Sequence, residues 1–432
     1  MSKTVKQWIC LILSVLLMTV AASAGSEEGE DARSWKELAA EADQREDYEA
    51  AFRYYEQAAE AGDAEAQYLT AVYYYYGMGT EQSYEKTEEY LRLASAQGDS
   101  AAREWLGRIY YVVERDYEKA LEYLVPAAEE GNAPAQQILS EMYFYGYGVE
   151  PSIETAMEYN GKAVEQGEPS ALYSRGWLYE NGVGLEQDYG KAAEYYQQAA
   201  ELGNANAQRQ LGVLYQDGVG VEQSYEKAKE LYQLAADQGD ASAQVCLGWL
   251  YEYGEGVEQS YAKAAELYQL AADQGDASAQ AYLGWLYEFG EGVEQSYEKA
   301  AELYQLAADQ GDALAQACLG VLYEFGDGVA LSYEKALEYF QLSADQGHSM
   351  GQWGMGQLYQ FGLGVKQSYE KAAEYYQLSA EQDDPDGLEC LGYLYLNGFG
   401  VEQSMDKAME LYRQAAALGS EEAQRQLEIY GK

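Results

Sequence analysis

One pattern of apolar and polar positions recurs along most of the chain, and residues 275–310 show it in full. Its first half places apolar side chains at i, i+4, i+7 and i+8, the spacing of one buried helix face; these are Ala279, Leu283, Leu286 and Tyr287. Its second half has the same three- and four-residue spacing, in Tyr297, Ala300, Ala301, Tyr304, Ala307 and Ala308. The pattern predicts two amphipathic helices in each repeat, which we call helix A and helix B.

The segment between the two helices carries turn signals. Gly290 follows the last periodic residue of helix A, where many helices end in a left-handed conformation that glycine adopts without strain. Gly292 gives the turn a second permissive point. Ser296 precedes helix B as the expected N-cap, and Asp116 and Asp188 occupy the equivalent place in other repeats. Each repeat is therefore predicted to be a pair of antiparallel helices.

The repeat recurs along the chain, most often every 36 residues. Asp383 opens the last complete copy, and glycine opens the others: Gly62, Gly98, Gly131, Gly167, Gly203, Gly239, Gly275, Gly311 and Gly347. One helix pair cannot bury its own apolar face, whereas stacked neighbours can. The predicted fold class is therefore all-α, an alpha-alpha superhelix (solenoid) of tandem antiparallel helix pairs. Ten repeats are expected at 62–418, after an incomplete N-terminal repeat or cap at 35–61 and before a capping helix at 419–432.

The first 24 residues form a different kind of segment. Lys3 and Lys6 make a positive start, an apolar run follows, and the small residues Ala22 to Ala24 precede Gly25, a pattern typical of a cleaved signal peptide. An uncleaved membrane anchor is the alternative. Residues 25–34 are expected to be an acidic spacer, and no later run is apolar enough for stable membrane insertion of the mature chain. We expect export to a periplasm or the exterior, with a bacterial source favoured because the chain has no N-x-S/T site.

The charge balance excludes one class of partner. Lys and Arg number 27 against 74 Asp and Glu, for a formal net charge of −47, so the chain repels phosphate backbones and nucleic acid is not an expected partner. The same charge could attract a basic partner or could keep a long array soluble. Both explanations stay open on the sequence.

The combined motif A-x-x-x-L-G-x-x-Y-x-x-G-x-G-V, followed by x-K-A and a closing A-A-x-x-G, resembles the Sel-one-like repeat, a relative of the tetratricopeptide repeat. This resemblance covers nearly all of residues 62–418. It implies a right-handed superhelix with a concave face, used as an adaptor or scaffold that binds other proteins. The chain departs from the pattern at Asp383, in a three-residue deletion near Tyr111, and at Ile153 and Met405, where tyrosine usually begins helix B.

Catalytic chemistry has little support in the sequence. With His348 as the single histidine, a Ser-His-Asp triad, an H-E-x-x-H zinc site or a histidine pH switch is nearly impossible to assemble, and His348 is expected to be a solvated helix-start residue. An S-x-x-K motif, as in penicillin-recognising enzymes, recurs from Ser83/Lys86 to Ser404/Lys407, but seven copies and the lack of S-D-N and K-T-G strings favour a helix cap.

Cys246, Cys318 and Cys390 lie at one position of alternate repeats and are expected to be packing groups. We therefore expect no enzyme activity, no catalytic residue, no metal and no cofactor. The alternative is a cell-wall or carbohydrate-associated protein. Cysteine-rich members of the family suggest penicillin binding or β-lactamase-like activity, but the paired cysteines of those members are absent here.

A candidate binding surface lies on helix A opposite its core face. The eleventh position of the repeat points about 150° away from that face, at 100° per residue. Apolar and aromatic residues occupy it in successive repeats, apart from Gln357, and Trp353 at the seventh position shares that side; the candidates for partner binding are Trp177, Val213, Trp249, Trp285, Val321, Trp353 and Tyr393.

Two interpretations of this stripe stay open: burial by adjacent helices, or a groove for a protein or peptide partner, since Trp and Tyr are favoured at interfaces. Phe289, Phe325 and Phe361, at the end of helix A, are expected to pack between repeats, with the groove as the alternative.

Overall fold

The computed structural model describes residues 30–430, and within this range its regular structure is helical. The A helices are Ala64–Tyr76, Ser100–Arg108, Ala133–Tyr145, Pro169–Asn181, Ala205–Asp217, Ala241–Tyr253, Ala277–Phe289, Ala313–Phe325, Ser349–Phe361 and Pro385–Asn397. The B helices are Tyr84–Ala96, Tyr117–Glu129, Ile153–Glu165, Tyr189–Glu201, Tyr225–Asp237, Tyr261–Ala272, Tyr297–Asp309, Tyr333–Asp345, Tyr369–Ala380 and Met405–Ala417. A helix B packs against both its own helix A and the next one along the chain, as Tyr297–Asp309 does. The predicted all-α solenoid of helix pairs is confirmed.

Three further helices flank these pairs. Glu30–Gln44 and Tyr48–Glu60 precede the first repeat, and Glu421–Tyr430 follows the last. The first of them begins inside the segment predicted as an acidic spacer. The predicted signal peptide at 1–24 lies outside the described residues. None of the helices between residues 30 and 430 combines the length and the apolar character that crossing a membrane requires.

The chain divides into two compact parts. Within the described residues, we call 30–178, with 182–186, the N-terminal part, and 179–181, with 187–430, the C-terminal part. The core of the N-terminal part includes the fully buried Tyr55, Tyr73, Leu91, Leu106 and Leu124. In the C-terminal part a ring is fully buried at the thirtieth position of each repeat; these rings are Tyr196, Tyr232, Tyr268, Tyr304, Phe340, Tyr376 and Tyr412. The apolar series of helix B therefore forms the core from Ala300 to Ala308, as its spacing predicts, whereas Tyr297 at its start is only half-buried.

The glycine turns have two separate functions. Gly290 caps helix A in the left-handed region, with φ of 72°, as predicted. Gly292 also has a positive φ, of 71°, and a Cβ there would overlap the backbone of Tyr261 and Ala262 at the start of the preceding helix B. The second glycine of the turn thus has two roles: it adopts a positive φ, and its lack of a side chain lets successive repeats approach closely.

The repeat from Gly98 has a different turn at its three-residue deletion. Helix Ser100–Arg108 continues as a π-helix, Ile109–Glu114, and the chain then turns at Arg115 with φ of 55°. Here a π-helix and a strained arginine replace the two-glycine turn.

Buried glutamines link the helices of a repeat to its neighbour. In the repeat from Gly275, Gln310 Nε2 donates to Gln280 Oε1 at 2.9 Å. Gln280 Nε2 in turn donates to the carbonyl of Ala272 in the preceding helix B, at 3.5 Å. Glutamine pairs equivalent to Gln280 and Gln310 recur at Gln67/Gln97, Gln136/Gln166, Gln208/Gln238, Gln244/Gln274, Gln316/Gln346 and Gln352/Gln382. This ladder satisfies polar groups inside the array.

Candidate functional site

The structure places the seven predicted binding residues at different depths. Trp285 and Tyr393 are exposed, by 36% and 43%. The other five are half-buried: Trp177, Val213, Trp249, Val321 and Trp353. Val213 and Trp249 pack against one core cluster of the C-terminal part, and Trp353 packs against another. Neighbouring helices therefore cover part of the predicted stripe, and its role in binding stays a prediction.

The more exposed aromatic side chains lie one turn further along helix A. Tyr253, Phe289, Phe325 and Phe361 end four consecutive A helices and are 57%, 55%, 61% and 60% exposed. The expectation that these phenylalanines fill space between repeats is wrong, because more than half of each ring is in solvent. One side of this last turn is covered, since Leu286 is buried and Glu288 accepts a hydrogen bond from Tyr304 of helix B. Phe289 lies on the uncovered side, and periodicity alone does not show which side is covered.

Two tryptophans of the predicted stripe extend this exposed row. The Trp249 and Tyr253 rings are 4.7 Å apart between centroids, and the Trp285 and Phe289 rings are 5.0 Å apart. We call Trp249, Tyr253, Trp285, Phe289, Phe325 and Phe361 the aromatic face. Exposed aromatic groups of this kind are typical of protein interaction sites, because their burial by a partner is favourable.

A cavity of about 280 Å³ lies in the N-terminal part, between the A helices of two adjacent repeats. Trp177 lines it, and its ring meets the Phe144 ring edge-on at 5.9 Å. Glu141 and Tyr173 also line it. Glu141 is at the eleventh position of its repeat, like Trp177, so extending the stripe by one repeat towards the N-terminus would have found it. The predicted stripe was defined by apolar and aromatic residues, so it did not include this carboxylate.

The S-x-x-K motif has a structural role in this fold. The backbone N–H of each lysine donates to the serine Oγ at 3.2–3.4 Å, so the predicted helix cap is confirmed. In six repeats the ammonium lies 4.5–4.8 Å from the centre of a helix A tyrosine ring, as Lys335 lies over Tyr323. A hydrogen bond to the Tyr323 hydroxyl raises the pKa of Lys335. A lysine acting as a general base needs a lowered pKa, so this environment is the opposite of a catalytic one.

His348 differs from the expectation. It precedes helix Ser349–Phe361 in place of a capping Asp, but it is half-buried, and its Nδ1 is buried without a hydrogen-bond partner. Burial lowers the pKa of His348, against the opposing effect of Asp312 and Asp384. One side of the imidazole, with Nδ1, is therefore out of solvent, and the side chain is not fully solvated.

The cysteines contact the buried tyrosines of preceding repeats, as expected of packing groups. Burial raises the pKa of Cys318 to about 12 despite a hydrogen bond with Tyr304, which makes the thiol a poor nucleophile. Across residues 30–430 no three His, Cys, Asp or Glu side chains are grouped in a way that could hold a metal ion.

These features define a class of protein, an all-α repeat scaffold. The family model of the Sel1 repeat matches eleven segments: 32–63, 64–99, 101–132, 133–168, 169–204, 205–240, 241–276, 277–312, 313–348, 349–384 and 391–420. The chain therefore belongs to the Sel1 repeat family, which confirms the resemblance seen in the sequence. Scaffolds of this family typically bind other proteins and are typically not enzymes.

Two solved structures are similar over most of this chain. One is c5321, a protective antigen present in uropathogenic Escherichia coli strains with an SLR fold; it is 35% identical, with 88% of this chain and 82% of that chain covered and a TM-score of 0.68. The other is a Sel1 repeat protein from Oxalobacter formigenes, 30% identical, with 71% and 89% covered and a TM-score of 0.51. Among curated proteins none matches this chain.

Proposed function

We propose that this chain is a non-enzymatic scaffold that binds a protein or peptide partner through the aromatic face. The observation that carries the proposal is the row of four aromatic side chains, Tyr253 to Phe361, that end consecutive A helices in solvent. A row repeated along the array gives an extended partner several equivalent anchor points. Aromatic anchors of this type supply much of the binding energy at protein interfaces.

A selection of random peptides displayed on phage tests this proposal directly. The peptides enriched on the purified chain should bind a variant with Tyr253→Ala, Phe289→Ala and Phe325→Ala at least tenfold more weakly, because each truncation of an interface anchor costs about 1 kcal/mol or more. Fluorescence anisotropy with the labelled peptides measures the dissociation constants. Far-UV circular dichroism should stay helical, since these rings are largely in solvent.

The chain offers a matched control on helix B. Leu234, Leu270 and Leu306 are half-exposed and recur at one position of three consecutive repeats. A triple alanine variant of these leucines removes a similar apolar area from another surface and should bind the peptides as tightly as the parent chain. Equal losses in the two variants, or no loss in either, would contradict the proposal.

We further infer that the chain is exported by its first 24 residues. Expression in a Gram-negative host should give a periplasmic product whose N-terminal residue is Gly25, as determined by intact mass. Charged residues in the apolar run block recognition of a signal peptide. Leu13→Arg with Leu16→Arg should therefore leave the full-length chain in the cytoplasm, and an unchanged distribution between the two compartments would refute the inference.

A further inference from the structure

The cavity beside Trp177 has an apolar and aromatic wall. Phe144, Tyr173 and Trp177 supply rings, and Met157 and Leu178 supply aliphatic surface. Its volume of about 280 Å³ is just under the roughly 300–1,000 Å³ typical of sites for whole small molecules. This space suits one long side chain of a partner better than a cofactor or a folded segment.

The same cavity has a single carboxylate on its wall. Glu141 Oε1 accepts a hydrogen bond from Gln137 Nε2 at 3.1 Å, and Oε2 accepts one from the Tyr111 hydroxyl at 3.4 Å. Both donors are neutral. Burial is the largest influence on this group and raises the pKa of Glu141, while Arg108 opposes the shift.

Arg108, the arginine that opposes this shift, is paired with another carboxylate. Arg108 forms an ion pair with Glu104, at 2.5 Å from its Nη2 to Oε1. No ion pair of Glu141 is found among the described residues. A partly buried carboxylate without a paired cation gains most from a ligand that brings its own positive charge.

We propose that this cavity binds a lysine or arginine side chain of a basic peptide partner. The aliphatic stem lies against Met157 and Leu178, and the cation lies beside Glu141 and against the faces of the aromatic rings, an arrangement that stabilises ammonium and guanidinium groups. The net charge of −47 favours the same class of partner, since it attracts basic segments. The assignment rests on the proposed function as a peptide-binding scaffold and names the chemistry of the partner.

Small probes test the cavity without a known partner. The mature chain is labelled with 5-fluorotryptophan, and the fluorine resonance of Trp177 is assigned with a Trp177→Phe variant. Nα-acetyl-lysine N-methylamide and its arginine counterpart should shift this resonance with saturation in the millimolar range, the affinity expected of one side chain. The norleucine analogue, which keeps the stem and lacks the cation, should not saturate.

A pair of variants isolates the carboxylate. Glu141→Gln preserves the shape of the side chain and should weaken the lysine probe at least tenfold, because the charge is lost. Glu154→Gln, on an exposed glutamate of helix Ile153–Glu165, removes the same charge elsewhere and should leave binding unchanged. No saturable shift with either cationic probe, equal binding of the norleucine analogue, or full binding by Glu141→Gln would each overturn the assignment.

The experiments distinguish a failure of the cavity assignment from a failure of the aromatic-face proposal. The probe experiment involves the N-terminal part alone, and the aromatic face lies in the C-terminal part. Loss of probe binding with intact peptide capture would remove only the cavity assignment. Loss of peptide capture with intact probe binding would remove only the aromatic face.

Discussion

Replacing Gly292 with alanine should destabilise the junction between two repeats by about 3 kcal/mol or more, which is among the largest effects expected of a single substitution. The residue has φ of 71°, so a side chain is strained there. In addition, the new Cβ would overlap the backbone of Tyr261 and Ala262 in the preceding helix B. Backbone atoms at a helix start cannot rotate away as a side chain does, so the two repeats must separate.

Gly275 provides the matched control. Its φ is 92°, but a Cβ at this position has no atom within 4 Å. Gly275→Ala should therefore cost only the conformational strain, about 1–2 kcal/mol. Urea denaturation measures both variants, and amide hydrogen exchange should show the loss for Gly292→Ala concentrated around residues 261–292. Equal destabilisation by the two substitutions would show that glycine is required at 292 only for its positive φ, and that the predicted overlap with the preceding helix B has no effect.

The second large effect concerns Glu324, a buried carboxylate that lacks the tyrosine hydrogen bond found in other repeats. In five other repeats of the C-terminal part the buried tyrosine donates to a Glu or Gln at the fourteenth position, as the Tyr304 hydroxyl does to Glu288 Oε2 at 2.7 Å. The repeat from Gly311 has Phe340 instead. One oxygen of Glu324 is buried without a hydrogen-bond partner, and burial raises the pKa of Glu324 to about 7.

Phe340→Tyr should stabilise the array by about 1–3 kcal/mol above pH 7, because a new hydrogen bond satisfies the ionised Glu324. The unfolded group titrates near 4.5, so the folded state binds the extra proton between pH 4.5 and 7. The cost of ionising Glu324 is absent below this window, grows through it and is complete above it. The gain from Phe340→Tyr should follow the same pH course, measured by urea denaturation at pH 4.5, 6 and 8.

Two variants check this explanation. Tyr304→Phe creates the same unsatisfied carboxylate at Glu288 and should lose stability mainly at high pH. Glu324→Gln places at this site the residue found naturally at Gln216 and Gln360, and it should remove the pH dependence. A gain from Phe340→Tyr that is equal at pH 4.5 and pH 8 would mean that packing, and not the carboxylate, is responsible.

The local parts of the fold could be predicted because they follow from spacing within one repeat. Apolar residues at three- and four-residue intervals identified the helix pairs, and Ser296 was identified as a cap because hydroxyls at that position accept backbone N–H bonds. The left-handed end at Gly290 likewise needs only local geometry.

Contacts between repeats could not be predicted from the spacing within one repeat. A periodic pattern shows which side of helix A faces away from its own core, but a neighbouring helix decides how much of that side is covered. Trp353, predicted on the candidate binding side, is thus half-buried, whereas Phe289, expected to pack between repeats, is exposed. The contact made by Gly292 and the carboxylate of Glu141 in the cavity depend on the distance between repeats, which a single-repeat pattern does not contain.

The central claim is that partners bind through the aromatic face, and site-specific photocrosslinking tests it most directly. p-Benzoylphenylalanine is placed at Phe289 on this face or, in a second variant, at Leu306 on helix B, since both side chains are about half in solvent. After irradiation with a selected peptide, mass spectrometry should find the peptide attached at residue 289 and not at residue 306. Attachment at residue 306 alone, or equally at both positions, would contradict the account.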